Sequence, residues 1–165
     1  YNLWKGNNPK AIVEGGLNYD RELIEKIDKI PKDKYYGINF DNIFLYRALS
    51  NLSEDPKKYF SLFLKKFFSF MFIDINSSQK GYYNPLNYIP ALILGITSLL
   101  GIFLSNKKSN KSNKFNYLIL LYFVNIVIFS CFFILPRYKL VIIPFQIIFT
   151  NILLNYISKK FSKTL

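Results

Sequence analysis

Three long runs without a charged side chain dominate the second half of this chain: Gly81 to Asn106, Phe115 to Pro136 and Leu140 to Ser158. Each is near or above the roughly 18 to 20 apolar residues a helix needs to cross a hydrocarbon core at about 1.5 Å per residue. In lipid only helices or closed barrels satisfy their own backbone, and these runs lack the alternation of barrel strands. The pattern predicts transmembrane helices over 82–104, 115–136 and 140–158, joined by a lysine-rich loop at 105–114 and the short turn Pro136-Arg137-Tyr138-Lys139, and followed by a basic tail at 159–165.

Residues 56–75 carry a different pattern. Asp55 is placed to cap free amides and Pro56 suits a first helical position. Lys58, Ser61, Lys65 and Ser69 then recur at spacings of three and four, and Phe60, Phe63, Leu64, Phe67, Phe68, Met71 and Phe72 occupy the other sides. A polar stripe opposite aromatics predicts an amphipathic helix lying in the headgroup region. Two lysines at mid-membrane would cost roughly 2.5 to 3.5 kcal/mol each. If this helix crossed instead, residues 1–55 would change sides. The fold class expected is therefore all-α integral membrane: three transmembrane helices, an in-plane amphipathic helix and a small extracytoplasmic helical segment.

That segment, residues 1–55, is polar with two helical patterns. Leu23, Ile24, Ile27 and Ile30 place one between Asp20 and Pro31, and Ile43, Leu45, Ala48, Leu49 and Leu52 place another from Asp41, read as its cap. Gly6-Asn7-Asn8-Pro9 and Gly15-Gly16 are turn formers. About 55 residues with so few large apolar side chains do not hold a core alone, so this piece must pack on other protein. Its Asp20, Glu22, Glu25 and Asp28 alternate with Arg21, Lys26 and Lys29, the pattern of a solvated face rather than of a catalytic carboxylate pair.

Charge sharpens the division. All ten acidic residues precede residue 75, where they meet twelve basic ones (net +2); residues 75–165 hold the other ten basic residues and no acid. A net +12 could suggest nucleic acid, but the lysines cluster at the ends of apolar runs, as membrane-protein loops place them, and no nucleic-acid partner is expected. Short lysine-rich loops stay cytoplasmic, and two helices separate the clusters at 105–114 and 159–165, so one face receives both. Residues 1–81 are then extracytoplasmic and the C-terminus cytoplasmic, with Tyr82, Tyr83, Tyr88 and Tyr138 at an outer aromatic belt. Without histidine and with Cys131 alone, a His/Cys metal site and an intrachain disulfide are excluded; Cys131 reads as a small buried hydrophobe.

Four segments together resemble one family. These are Tyr1-Asn-Leu-Trp-Lys-Gly-Asn-Asn-Pro running on to Gly15-Gly16; Arg47-Ala48-Leu49; Asp55-Pro56-Lys57-Lys58-Tyr59-Phe60 with Leu62-Phe63-Leu64-Lys65-Lys66; and Arg137-Tyr138-Lys139-Leu140 leading to Pro144-Phe145. In order and content they are similar to the C-terminal third of the polyprenol-phosphate-sugar-dependent GT-C glycosyltransferases, the protein-mannosyltransferase and aminoarabinose-transferase-like family. Val141-Ile142 departs from the pattern, since many members place proline soon after the leucine.

The resemblance implies a multi-pass protein of a bacterial inner (plasma) membrane, acting in the cell envelope. It implies inverting transfer of a sugar from a polyprenyl-phosphate carrier to an extracytoplasmic acceptor, with no cofactor beyond the lipid-linked donor. The family's catalytic aspartate lies in a first external loop that has no counterpart here. This chain is thus expected to be an inactive piece of a longer polypeptide, partnered by the rest of that polypeptide and by lipid, with no catalytic residue of its own. Arg137, with Lys139 and Tyr138 beside it, is the candidate for the carrier phosphate, because a guanidinium grips a phosphate through two parallel hydrogen bonds. An interfacial basic pair reaching for headgroups is the plainer account. Trp4, Asn7 and Asn8 are candidates for a sugar or acceptor mouth, against a simple turn. Asn125, Gln146, Thr150, Asn151 and Asn155 are expected to bond between helices, and Ala91, Gly95, Thr97 and Gly101 to allow close approach. A small membrane scaffold or transporter subunit would share this topology.

Overall fold

The structure, a computed structural model, describes residues 1–74, 76–77, 84–106 and 113–162. Among them the fold is all-helical: α1 (Asn2–Gly6), α2 (Arg21–Asp28), α3 (Tyr36–Glu54), α4 (Pro56–Met71), α5 (Pro85–Asn106), α6 (Asn113–Ser130), a 3-10 turn at Pro136–Val141 and α7 (Ile143–Phe161). The chain divides into two compact units, Tyr1–Phe67 with Phe129–Ile134, and Phe68–Ile128 with Leu135–Leu165. The expected belt residues Tyr82 and Tyr83, the lysine-rich loop at 107–112 and the tail at 163–165 lie outside the described residues.

The first unit is built on an aromatic core. Trp4, Leu23, Phe44 and Ala48 are buried together, with Tyr1, Leu3, Ile27, Phe40 and Ile43 around them. Trp4 meets Phe44 edge-on at 4.8 Å between ring centres and Tyr1 meets it at 5.0 Å, the edge-to-face geometry that ring quadrupoles favour. Asp20 starts α2 as expected, its Oδ1 accepting the Leu23 amide at 2.8 Å. Its other oxygen accepts from Arg47 Nη2 on α3 at 2.7 Å, tying the two helices together. Asp41 does not cap α3; it lies inside it, because the helix begins earlier, at Tyr36, where the Asp33 carboxylate accepts the Tyr35 amide at 2.9 Å.

The Leu23 amide, then Arg47, hold the Asp20 carboxyl below the usual carboxylate range. A depressed folded pKa contributes stability that is present above the unfolded value, about 3.9, and is lost as pH falls through the folded one. Asp20→Asn should therefore keep the cap while flattening the acid limb of a stability–pH profile; Asp20→Ala should lose both, at about 1 to 2 kcal/mol. An acid limb identical in Asp20→Asn and wild type would remove Asp20 from that role.

α4 begins as the sequence predicts, with Asp55 Oδ1 accepting the Lys58 amide at 3.0 Å. Its buried face is not the one opposite the polar stripe. Tyr59, Leu62, Lys66, Ser69 and Phe70 are buried, whereas Phe60, Leu64 and Phe68 stand exposed one turn apart beside Lys58, Ser61 and Lys65. Ser69 therefore leaves the stripe, and an apolar ridge runs next to lysines on the open side.

The second unit turns many large apolar side chains outward as well as inward. On α5, Gly95, Ser98 and Gly101 face inward, while Ile89, Ile93, Ile96, Leu100 and Phe103 face out. α6 and α7 likewise expose Leu120, Val124, Val127, Ile147 and Leu154, and bury Gln146 among Tyr122, Ile126, Phe149 and Leu153. Apolar side chains on the outer surface and small or polar ones at helix contacts suit lipid as the solvent. α5 and α7 run parallel: Thr97 Oγ1 lies 2.8 Å from Thr150 Oγ1, Gly101 abuts Phe149, and the C-terminal turns of both helices, with Leu104 and Ser105 on one and Ile152 to Lys160 on the other, line one cleft. A Cβ at Gly101 would stand 1.9 Å from the Phe149 carbonyl oxygen, and one at Gly95 would stand 2.7 Å from the Phe72 ring. Both glycines thus serve the close approach expected of them.

Among the described residues one helix, Pro85–Ser105 with mean hydropathy 2.0, is long and apolar enough to cross a membrane. Three spans are not shown. The second run falls short because its helix stops at Ser130, leaving an apolar stretch of Phe115–Ser130, while Cys131–Leu135 is irregular. The third starts later than expected, since Pro136–Val141 coils as a 3-10 turn and Pro144 fits the first turn of α7. Of the expected interhelical hydrogen bonds, Thr150 makes one, and Gln146 donates to the Met71 carbonyl at 2.9 Å and the Tyr122 hydroxyl at 3.3 Å. Asn125 instead returns to the Leu121 carbonyl of its own helix, and Asn155 to Asn151.

Candidate functional site

In the second unit the expected phosphate-binding residues sit on the 3-10 turn Pro136–Val141, directly ahead of α7. Arg137 is exposed, its guanidinium over the Tyr138 ring at 5.5 Å, and among the described residues it makes no ion pair. Lys139 behaves differently. It is half-buried, and its Nζ donates to the Phe72 carbonyl. Burial pushes its ammonium down to about 8, with the Asp74 carboxylate acting the other way. The two cations therefore divide roles that adjacency alone does not separate: Lys139 fastens the turn inward, and Arg137 presents an open, planar donor set. Tyr138, half-buried, supplies the face on which that guanidinium rests.

Trp4, Asn7 and Asn8, expected at a sugar or acceptor mouth, are buried within the first unit: Trp4 is 1% exposed and Asn8 0%. The Asn8 amide donates to the Gly16 carbonyl at 2.7 Å and to the Lys5 carbonyl at 3.3 Å, and its oxygen accepts the Lys10 amide at 2.9 Å. Asn7 donates to the Leu3 and Cys131 carbonyls, each at 2.8 Å, and its own carbonyl accepts from Asn51 of α3 at 3.1 Å. The Asn8 side chain thus bonds only to backbone, and the Asn7 side chain is divided between two backbone carbonyls and the Lys66 ammonium, so both amides are engaged in holding this loop.

The residue that sequence reasoning missed is Lys66 of α4. Fully buried, it donates to the Gly6 carbonyl at 2.7 Å and the Asn7 Oδ1 at 3.1 Å, and burial pushes its ammonium down to about 8. The signal was its phase: Tyr59, Leu62, Lys66 and Phe70 share one helical face. Two glycines complete the loop. A Cβ at Gly6 would lie 1.9 Å from the Phe132 carbonyl oxygen; Gly15 has φ +81° with the Phe133 Cβ 3.0 Å from where its own would be. The Ile134 amide, donating to the Val13 carbonyl at 2.8 Å, holds the same strip of chain. Cys131, expected buried, is exposed because α6 ends just before it.

Among the described residues no three His, Cys, Asp or Glu side chains converge to hold a metal. No family model matches the chain, and no curated protein and no solved structure matches it either.

Proposed function

We propose that this chain is the membrane-embedded C-terminal part of a glycosyltransferase that moves a sugar from a polyprenyl-phosphate carrier to an extracytoplasmic acceptor, its last three helices all crossing the bilayer. The observation that carries this reading is Arg137: an exposed guanidinium without an ion-pair partner among the described residues, on a turn that opens the apolar helix α7. A lipid phosphate brings charge to that boundary and leaves its isoprenoid tail among the outward apolar side chains, and a guanidinium holds it through paired donors. Three crossings are supported by the parallel course of α5 and α7, which requires the chain to return between them, and by α6, whose eighteen residues reach about 27 Å. α4, with Phe60, Leu64 and Phe68 exposed beside its lysines, lies in the interface on this reading.

In the polypeptide that carries this chain, Arg137→Ala is expected to lower transfer from a polyprenyl-phosphate sugar about a hundredfold, near 2.7 kcal/mol of barrier, with expression intact. Arg137→Lys should recover only part, since an ammonium lacks the planar fork. Turnover within twofold of wild type in Arg137→Ala would remove the phosphate role.

A further inference from the structure

At the far end of α7, about 28 Å from the 3-10 turn by helix length, the last turns of α5 and α7 enclose a cleft of about 760 Å³. Its apolar lining includes Leu104 and Ile152, and its polar lining includes Ser105, Tyr156, Lys159 and Lys160. On the same two helices Leu100, Phe103 and Leu154 are each about half exposed. We propose that this cleft holds the phosphate headgroup of an anionic phospholipid, with its acyl chains lying along the exposed apolar faces of α5 and α7.

Charge decides the sign of the ligand. Two helix C-termini contribute roughly half a negative charge each. Lys159 and Lys160 more than offset them, and no aspartate or glutamate occurs between residues 75 and 165. Lys107 and Lys108 follow α5 directly in sequence. Such a lysine-rich helix end without acidic side chains is the composition that attracts anionic headgroups. The apolar lining distinguishes a lipid from a soluble anion: a free phosphate gains nothing from Leu104 or Ile152, whereas a glycerophospholipid occupies both parts of the cleft, whose volume is in the range of small-molecule sites. This inference rests on α5 lying in a bilayer and not on glycosyl transfer, and the site lies at the opposite end of α7 from Arg137.

The test is native mass spectrometry of the 165-residue chain in detergent, titrated with phosphatidylglycerol and with phosphatidylcholine of equal chain length, and competed with inorganic phosphate and with glycerol 1-phosphate. One phosphatidylglycerol should be retained about tenfold more tightly than phosphatidylcholine, with Lys159→Gln/Lys160→Gln removing the difference. Lys57→Gln/Lys58→Gln on α4 should leave it unchanged, and Ser105→Trp, which fills the cleft without altering charge, should also abolish retention. Equal retention of both lipids, wild-type retention in both the double glutamine variant and Ser105→Trp, or full displacement by either soluble phosphate would each overturn the proposal. A chain that is monodisperse without detergent would instead remove the membrane placement on which it stands.

Discussion

Gly101→Ala should separate α5 from α7 and lower the thermal midpoint of the detergent-solubilised chain by roughly 10 °C, the shift that about 3 kcal/mol produces in a protein of this size. The new Cβ would lie 1.9 Å from the Phe149 carbonyl oxygen, which is backbone and cannot rotate away. Relief requires the helices to move apart, which also stretches the Thr97–Thr150 hydrogen bond and loosens the packing of Phe149 on Tyr122, now 5.5 Å between ring centres. Gly37→Ala provides the control, because nothing lies within 4 Å of a Cβ placed there. Alanine also favours helix over glycine, so Gly37→Ala should be neutral or slightly stabilising. A midpoint for Gly101→Ala within a degree or two of wild type would mean that the helices do not approach as closely as described.

Lys66→Met is the second large effect, and its signature is in the pH dependence. The substitution keeps the length and apolar stem of the side chain but leaves the Gly6 carbonyl and the Asn7 Oδ1 without their donor in a buried setting. Each orphaned acceptor costs about 1 to 3 kcal/mol, against which the relief of a desolvated ammonium acts; a net loss of about 2 kcal/mol at pH 7 is expected. A lysine with its folded pKa lowered to about 8 sheds its proton in the native state first. Between about 8 and the unfolded value near 10.4 the unfolded chain binds more protons, so stability rises with pH across that window. Lys139 acts in the same direction, so wild type should gain stability from pH 8 to about 10 and Lys66→Met should gain visibly less. Above about 10 the Tyr1 hydroxyl, partly exposed but pushed up to about 12 by desolvation and by Tyr19, reverses the trend. Equal slopes in the two proteins would show that Lys66 does not titrate in this range.

Local rules carried part of this fold and long-range ones the rest. The start of α2 beside Asp20, the Asp55-Pro56 start and the helical character of the apolar runs were legible, because each depends on residues within one turn of each other. The start of α3 was not, since Asp41 resembles a cap and nothing nearer marks Tyr36 as a beginning. The phase of Lys66 with Tyr59, Leu62 and Phe70 signals its burial, but its acceptors lie 59 and 60 positions away, beyond the reach of any periodicity. Cys131 escaped because α6 ends where Asn7 donates to the Cys131 carbonyl and Gly6 packs against the Phe132 carbonyl, not at a breaker in the sequence. At the candidate site, the motif Arg137-Tyr138-Lys139 was plain as a basic pair, but only the Phe72 carbonyl separates an anchoring lysine from an available arginine.

The glycine seam on α5 also sets an order of events while the chain is being made. Gly101 and the Phe149 carbonyl that covers it are 48 residues apart, with all of α6 between them. At roughly 5 to 20 residues per second, α5 waits some seconds for its companion. During that interval Gly101 is a bare notch that another helix could fill first, which makes a stalled or slowed ribosome after α5 the moment of greatest risk for mispairing.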